Sequence, residues 1–183
     1  MAHPAQISYC MEVKAKHPDH FKNVRVLDCG SLNINGSNRS LFLGCAYTGI
    51  DLGEGDNVHF VSTVHEYPGA DEHFDTIIST EMLEHDRHWK LSLASMLRML
   101  KPGGLLLLTC ASGSREEHGT AHHHSGTSPF TQDYYGNRSK GEISSILKPT
   151  EYFREHAFSF NSDATDLYFH GIKFGENVRS EII

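Results

Sequence analysis

The sequence predicts an α/β protein whose core is one mostly parallel β-sheet covered by helices on both faces. Short runs rich in Val, Ile and Leu alternate with segments of helical period. The first two runs each end in an acidic residue, Asp28 and Asp51. Apolar strands that alternate with helices are typical of parallel sheets buried on both faces. Because 183 residues is the usual length of one domain, we expect a single domain over 1–183.

The strands and shorter helices follow in order along the chain. Acids, glycines and prolines at the ends of the apolar runs set their expected boundaries. The expected strands cover 24–28, 46–51, 57–62, 74–79, 105–110, 157–161 and 166–174. The last two are expected to pair as an antiparallel hairpin at the sheet edge. Short helices are expected over 5–16, 37–43, 142–147 and 150–154, the second with Ser37 as its N-cap.

The clearest helix lies between the fourth and fifth strands. Its apolar residues recur at helical spacing: Trp89, Leu93, Met96, Leu97 and Leu100. The Lys-Pro-Gly-Gly segment at 101–104 then ends the helix and begins the next strand. This stripe predicts that the helix packs on the sheet.

The segment 111–138 differs from the rest because it is rich in Gly, Ser, Thr and His and has no apolar period. A connection of this length inside a compact domain is typical of a functional lid. The adjacent histidines 122–124 cannot readily bring three imidazoles to one ion, since zinc ligands are usually separated in sequence. His118 and His122 have i, i+4 spacing, but the glycines around them argue against a helix. We therefore expect a polar lid and no metal site.

Charge and composition narrow the classes of partner. The chain has 16 basic and 23 acidic residues, a net charge of −7 with histidine neutral, which disfavours duplex nucleic acid or an anionic membrane. The longest apolar run, 105–108, is far shorter than the roughly 20 residues of a membrane-spanning helix. No secretory signal pattern opens the sequence, so we expect a cytoplasmic protein. The four cysteines lie far apart and favour reduced thiols, while the oligomeric state is not indicated.

Three features converge on the carboxyl ends of the first, second and fourth expected strands. A turn at Gly30 allows close approach of the backbone to a ligand. Asp51 follows Gly30 by 21 positions, the spacing at which an acid accepts hydrogen bonds from a ribose diol. The fourth strand ends at 79–81 in the same crevice. Leu32 replaces the second glycine of G-x-G-x-x-G, which favours a nucleoside without phosphates and leaves a nicotinamide enzyme as a distant alternative.

Four motifs follow one another across these strands. They read VLDCGSLNINGSNR (26–39), YTGIDLGEG (47–55), FDTIISTEMLEH (74–85) and LKPGGLLLLTC (100–110). In this combination the sequence resembles the class I S-adenosylmethionine-dependent methyltransferases, in the group labelled methyltransferase type 11. The resemblance implies a Rossmann-like sheet of seven strands, mostly parallel, with the last strand antiparallel. It also implies S-adenosylmethionine as the cofactor and S-adenosylhomocysteine as its product.

The resemblance assigns a role to particular positions of the crevice. The implied cofactor residues are Gly30 and Ser31 at the methionine moiety, Asn35 and Gly36 closing the loop, Asp51 at the ribose, Leu52, Thr63 and Val64 at the adenine, and Ser79 and Thr80 at the methionine amino group through their backbone oxygens. Two positions depart from the family pattern. The second glycine of D-x-G-x-G-x-G is missing, and Thr63 stands where an Asp often accepts from the adenine amine.

Methyl transfer from a sulfonium mainly needs alignment of the acceptor and exclusion of water. A base is needed only where the acceptor must lose a proton. The candidates near the crevice are Glu81, Glu84, His85 and His118. Of these, His85 and then Glu81 are the predicted catalytic residues, with a structural role at a helix start as the alternative for His85. The lid residues predicted to contact the acceptor are His118, Tyr134 and Tyr135.

The predicted function is transfer of a methyl group from S-adenosylmethionine to an unidentified acceptor. The polar, histidine-rich lid favours a small polar acceptor such as a sugar, a small metabolite or a modified base. The alternative is a catalytically inactive binding or scaffold protein with the same fold, which the missing glycine and Thr63 leave open.

Overall fold

One seven-stranded sheet organises the chain, in a computed structural model that describes residues 3–175. Its strands are β1 (Arg25–Cys29), β2 (Ala46–Asp51), β3 (Phe60–Val61), β4 (Phe74–Thr80), β5 (Leu100–Ala111), β6 (Phe153–Asn161) and β7 (Asp166–Lys173). Their order is β3-β2-β1-β4-β5-β7-β6, and β7 runs antiparallel to both of its neighbours. The predicted fold class is therefore confirmed. The expected domain, 1–183, includes residues 1–2 and 176–183, which lie outside the described part.

Helices cover both faces of this sheet. They are α1 (Pro4–Lys16), α2 (Trp89–Met99), α3 (Lys140–Leu147) and α4 (Pro149–Tyr152). Alternate residues of β5 point to opposite faces, so Leu106 and Leu108 lie in the apolar layer of α2 and α3. Leu105 and Leu107 lie in the layer of α1. The core is therefore two apolar layers separated by the sheet, as a sheet buried on both faces requires.

Helix α2 confirms the helical stripe read from the sequence. Trp89, Leu93 and Met96 are buried, and the helix ends at Met99. Leu100, the last residue of the stripe, is already the first residue of β5. Since helix and strand follow without a loop, the end of α2 leads directly into an inner strand of the sheet.

Two expected elements near the start of the sheet are shorter than predicted. The helix expected over 37–43 is a 3₁₀ turn at Asn38–Leu41, although Ser37 does cap it, since its Oγ accepts from the Arg39 N–H at 3.1 Å. The strand expected over 57–62 shrinks to Phe60–Val61. Both of its side chains are more than half exposed, because β3 lies at the sheet edge with a single neighbouring strand.

The helix expected over 150–154 is wrong at its end. Helix α4 stops at Tyr152 and β6 begins at Phe153, which pairs with Lys173. The ring of Phe153 is buried and packs edge-on to Phe169, with 5.4 Å between ring centroids. Burial against β7 therefore overrides the helical tendency of this segment. The predicted hairpin is confirmed, with β6 at the edge of the sheet and β7 inside it.

The expected lid, 111–138, has no regular structure beyond its first residue except a 3₁₀ turn at Ser125–Thr127. Its two ends meet, because the Arg138 N–H donates to the Ala111 carbonyl oxygen at 2.8 Å. Residues 122–124 are exposed. Elsewhere, the four cysteines are free thiols. No helix within residues 3–175 has the length and apolar character needed to cross a membrane.

Candidate functional site

The carboxyl ends of β1, β2 and β4 and part of the lid enclose a cavity of about 330 Å³. Among the predicted cofactor residues, those that line it are Gly30, Ser31, Asn35, Gly36, Asp51, Leu52, Thr63, Val64 and Thr80. Ser79, a fully buried residue of β4 with β1 and β5 on either side, does not line it, and its contact through the backbone oxygen stays a prediction. The crevice that the sequence predicted at these strand ends is therefore a real cavity.

The turn after β1 is fixed by close backbone contacts. Gly30 has a φ of 81°, a left-handed value that side chains with a Cβ rarely adopt. A Cβ on Gly30 would also lie 2.7 Å from Cγ of Met82, which follows β4. The N–H groups of Gly30 and Ser31 both donate to the Ile50 carbonyl oxygen, at 2.9 and 3.1 Å. The glycine thus allows the turn to fold tightly between β2 and β4 at the base of the cavity.

Asp51 ends β2 and joins two loops at the cavity wall. Its Oδ2 accepts from the Leu32 N–H at 3.0 Å and its Oδ1 from the Leu52 N–H at 2.7 Å. Each carboxylate oxygen can accept a second hydrogen bond, so capacity remains for a ligand. Burial raises the pKa of this carboxyl, and the two backbone donors oppose that rise.

A second acid, Asp28, lies in the same wall and is almost fully buried. The Tyr47 hydroxyl donates to its Oδ2. Burial raises the pKa of Asp28 to about 6, against the effect of this hydrogen bond. Asp28 belongs to the first motif, but the sequence analysis gave its side chain no role.

Thr63 and Val64 line the cavity beyond β3. The Thr63 hydroxyl donates to Glu66 Oε2 at 2.7 Å and accepts from the Glu66 N–H at 3.3 Å. This pair closes a turn on the surface. The Thr63 side chain therefore has a structural task at the position where the resemblance implies an adenine contact.

Glu81 directly follows β4 and lines the cavity with a strained backbone, at a φ of 54°. Its N–H donates to the Thr109 carbonyl oxygen at 2.9 Å, and the Thr109 hydroxyl donates to its Oε1 at 2.8 Å. Burial and the neighbouring Glu84 raise the pKa of Glu81 to about 7. This carboxyl is therefore close to half-protonated at neutral pH.

His85 also lines the cavity, but two of the other predicted residues lie behind it. The rings of His118 and Tyr135 pack edge-on to His85 with centroids 5.1 and 5.5 Å away, and neither lines the cavity. Burial and the neighbouring His118 lower the pKa of His85 to about 3. The N-cap of α2 is His88, whose N–H donates to the Asp86 carboxylate at 2.7 Å, and a structural role for His85 stays the alternative.

The lid supplies the outer wall of the cavity through 127–131, Asp133 and Tyr134. Phe130, which the sequence analysis missed, covers Gly53 so closely that a Cβ there would lie 2.0 Å from its ring. A large apolar residue inside a polar loop was the feature of the sequence that could have indicated a contact of Phe130 with the cavity. Arg87 holds this wall through a 2.9 Å ion pair with Asp133.

The buried Arg138 fastens the end of the lid. Its guanidinium donates to the Leu83 carbonyl oxygen at 3.1 Å and to the Tyr134 hydroxyl at 2.7 Å, and it lies over the ring of Trp89. The outer wall therefore rests on side-chain contacts with the segment after β4 and with α2.

Acidic groups dominate the charge of the cavity. Within residues 3–175, the carboxylate and guanidinium groups that line it belong to Asp28, Asp51, Glu81, Asp86, Asp133 and Arg87. The arginine is already paired with Asp133. The cavity therefore suits a ligand that carries positive charge better than one that carries phosphates.

The chain matches the protein family described as "Methyltransferase domain" over residues 7–164. It is also similar to the ubiquinone/menaquinone biosynthesis C-methyltransferase UbiE of Pseudomonas savastanoi, with 43% identity over 60 residues. That match covers 32% of this chain and 23% of the relative, so the chain spans about a quarter of the length of the curated relatives that it matches.

Solved structures share the fold at low sequence identity. The 1,6-didemethyltoxoflavin-N1-methyltransferase of Burkholderia thailandensis, with bound 1,6-didemethyltoxoflavin and S-adenosylhomocysteine, has a TM-score of 0.63 and 18% identity. The similarity covers 93% of this chain and 79% of that one. The Haemonchus contortus phosphoethanolamine N-methyltransferase 2, in complex with phosphomonomethylethanolamine and S-adenosylhomocysteine, has a TM-score of 0.60 and 18% identity, over 89% and 52% of the two chains. The family match and the sheet order confirm the resemblance, and the chain belongs to the class I S-adenosylmethionine-dependent methyltransferases, in the methyltransferase domain family.

Proposed function

We propose that the chain binds S-adenosylmethionine in this cavity and transfers its methyl group to a small polar acceptor. One observation carries the proposal. The turn at Gly30, the acid at the end of β2 and the end of β4 meet around one cavity, as the resemblance implies for the cofactor. Its volume of about 330 Å³ is in the range of small-molecule sites.

Charge supports an adenosyl sulfonium over a dinucleotide. When bound, S-adenosylmethionine supplies a methyl group on a positively charged sulfur. The acids of the cavity wall, among them Asp28, Asp51 and Glu81, outnumber its one arginine and attract such a ligand. A dinucleotide would bring the negative charges of its pyrophosphate against the same carboxylates, so a nicotinamide cofactor fits this cavity poorly.

Each part of the strand-end wall then has a binding task. Asp51 would accept hydrogen bonds from the ribose hydroxyls with the acceptor capacity that Leu32 and Leu52 leave on its oxygens. The side chain of Leu52, which is 38% exposed at the cavity mouth, would cover the adenine. The turn at Gly30 and the backbone at Thr80 would hold the methionine moiety.

Where the acceptor must lose a proton, Glu81 is better suited than His85 to take it. Both line the cavity, but the pKa of about 3 makes His85 a weak base, whereas that of Glu81 is about 7. Replacing Glu81 by Gln should lower turnover by about 10²–10⁴-fold while S-adenosylhomocysteine still binds. Unchanged turnover would remove Glu81 from any proton transfer.

The outer wall indicates the class of acceptor. Four hydroxyl-bearing residues, Thr127, Ser128, Thr131 and Tyr134, line it together with Phe130. Such a wall suits a small molecule with polar groups on an apolar or aromatic frame. The 1,6-didemethyltoxoflavin bound to the Burkholderia enzyme is one acceptor of this kind.

The decisive experiment compares three ligands by calorimetry: S-adenosylmethionine, S-adenosylhomocysteine and NADH. We expect one site per chain for the first two and no binding of NADH. The second step measures release of S-adenosylhomocysteine with a panel of small polar acceptors. No binding of either adenosyl ligand would overturn the proposal. Binding without turnover of any acceptor in the panel would favour the inactive scaffold.

A further inference from the structure

Three buried side chains meet beside the cavity, where the segment after β4 touches the lid. Glu84 is fully buried, and His85 and His118 are 7% and 9% exposed. Each offers one ligand atom, and these atoms lie within 4.8 Å of one another. Two imidazoles and one carboxylate are the ligands of many catalytic zinc sites and other transition-metal sites.

The atoms of this cluster lack the hydrogen bonds that buried polar groups normally have. Within residues 3–175, no normal hydrogen bond reaches either carboxylate oxygen of Glu84, Nδ1 of His85 or Nε2 of His118. Burial raises the pKa of this carboxyl, and the nearby backbone N–H groups of Glu84 itself and of Ala111 only partly oppose that rise. Buried polar atoms without partners are rare in folded proteins, and several at one point indicate a missing ligand.

The orientation of His118 is that of a metal ligand. Its Nδ1 lies 3.0 Å from the carbonyl oxygen of Glu116. A carbonyl only accepts, so Nδ1 carries the proton and Nε2 presents its lone pair to the cluster. Metal-binding histidines commonly donate their other N–H to a backbone carbonyl in this way.

We propose that Glu84, His85 and His118 bind one divalent transition-metal ion, with Zn²⁺ as the probe. At metal–ligand distances of about 2.0–2.2 Å, tetrahedral ligands lie about 3.4 Å apart. The three atoms therefore need to approach one another by no more than about 1.4 Å for one ion to reach all of them. Because His85 also lines the cavity, an ion here lies beside the place proposed for methyl transfer.

This site differs from the one that the sequence analysis considered and rejected. That analysis weighed the exposed histidines 122–124 and the pair His118 and His122, whereas the cluster takes only His118 from the lid and joins it to two residues that follow β4. A second group of two histidines and an acid, His17, Glu155 and His170, is a natural comparison. There Glu155 is 44% exposed and already paired with Lys16 at 2.5 Å.

The test uses full-length protein stripped of metal with a chelator and titrated with ZnCl₂ by calorimetry. We expect one tight site per chain, weakened at least a hundredfold in Glu84→Gln and in His118→Gln. His17→Gln and His122→Gln, which change histidines outside the cluster, should bind as the unaltered protein does. No saturable site, or a site lost in His122→Gln but kept in His118→Gln, would overturn the proposal.

A variant that restores a ligand guards against misfolding. His118→Cys should keep the site and, loaded with Co²⁺, show a sulfur-to-cobalt charge-transfer band that His17→Cys lacks. No such band in a variant that still binds S-adenosylhomocysteine would also overturn the proposal. The affinity of metal-free protein for S-adenosylhomocysteine is measured in parallel. It reports on the proposed cofactor site independently of the metal.

Discussion

The two walls of the cavity are built differently. The strand-end wall is held mainly by backbone N–H groups, which donate from Gly30 and Ser31 to the Ile50 carbonyl oxygen and from Leu32 and Leu52 to the Asp51 carboxylate. The lid wall is held by side chains, chiefly Arg87 on Asp133 and Arg138 on Tyr134. Backbone contacts depend little on residue type, whereas side-chain contacts change with each substitution. The first wall therefore suits a constant cofactor and the second an acceptor that differs between relatives.

The largest effect is expected at Asp51, where the strand-end wall contacts the ribose in our proposal. In Asp51→Ala two charge-assisted hydrogen bonds disappear, each of about 1.5–3 kcal/mol. The affinity for S-adenosylhomocysteine should fall by about 10²–10⁴-fold, measured by calorimetry. Asp56→Ala is the matched control because Asp56 is exposed and does not line the cavity. Equal affinity of the two variants would contradict the placement of the ribose.

The next effect is expected at Gly30, which tests the backbone of the same wall. Gly103 has a similar φ of 77°, but a Cβ there would meet nothing within 4 Å. Gly103→Ala should therefore lower the free energy of unfolding only by the cost of the backbone strain, about 1–2 kcal/mol. Gly30→Ala adds the contact with Met82, so it should lose more stability and bind S-adenosylhomocysteine at least tenfold more weakly. Denaturant unfolding and calorimetry measure both, and indistinguishable variants would show that the turn tolerates a Cβ.

Asp28 gives the strand-end wall a pH dependence. Its pKa of about 6 in the folded state lies above the ordinary value of 3.8, so the fold favours the protonated acid. This contribution is fully present below about pH 4 and is lost as pH rises through about 6. Asn is neutral throughout, so the stability of Asp28→Asn relative to the unaltered protein should rise by about 2–3 kcal/mol between pH 4 and pH 7. Denaturant unfolding across this range without ligand checks it, and a constant difference would refute it.

The smallest effect is expected where the lid meets the strand-end wall. Gly53→Ala should displace the ring of Phe130, since the new Cβ would lie 2.0 Å from it. In a Phe130→Ala background the same change should be harmless. We expect a coupling of about 1 kcal/mol in the free energy of unfolding from this double-mutant cycle. Additive effects would mean that the lid does not rest on Gly53.

The strand-end wall could be predicted from the sequence because the two features that indicate it, the apolar runs and the acid or glycine that ends each run, are local in the chain. Apolar runs that end in an acid or a glycine place Asp51 and Gly30 at strand ends, and parallel strands bring those ends together. Ser79 was predicted to act through its backbone oxygen, so its buried side chain, which alternation along β4 turns to the face opposite that of Thr80, does not test that prediction.

The lid could not be predicted in the same way. Its shape depends on contacts between distant residues, such as Arg138 with Leu83 or Phe130 with Gly53. The predicted ends of the strand at 57–62 and of the helix at 150–154 were wrong for a related reason. The position of β3 at the sheet edge shortened the strand, and burial against β7 ended the helix early. Likewise, the separate candidates Glu84, His85 and His118 became one cluster only after the chain had folded.

The hydrogen bond between Ala111 and Arg138 has a consequence for how such a protein diversifies. Because 112–137 leaves the sheet and returns to it at one point, the whole insert can lengthen, shorten or be exchanged with little strain on the strands beneath it. Exchanging this stretch between relatives is therefore a practical route to new substrate preference. Arg138 and Trp89 should be kept in such an exchange, because the guanidinium lies over the indole ring and fixes the end of the lid.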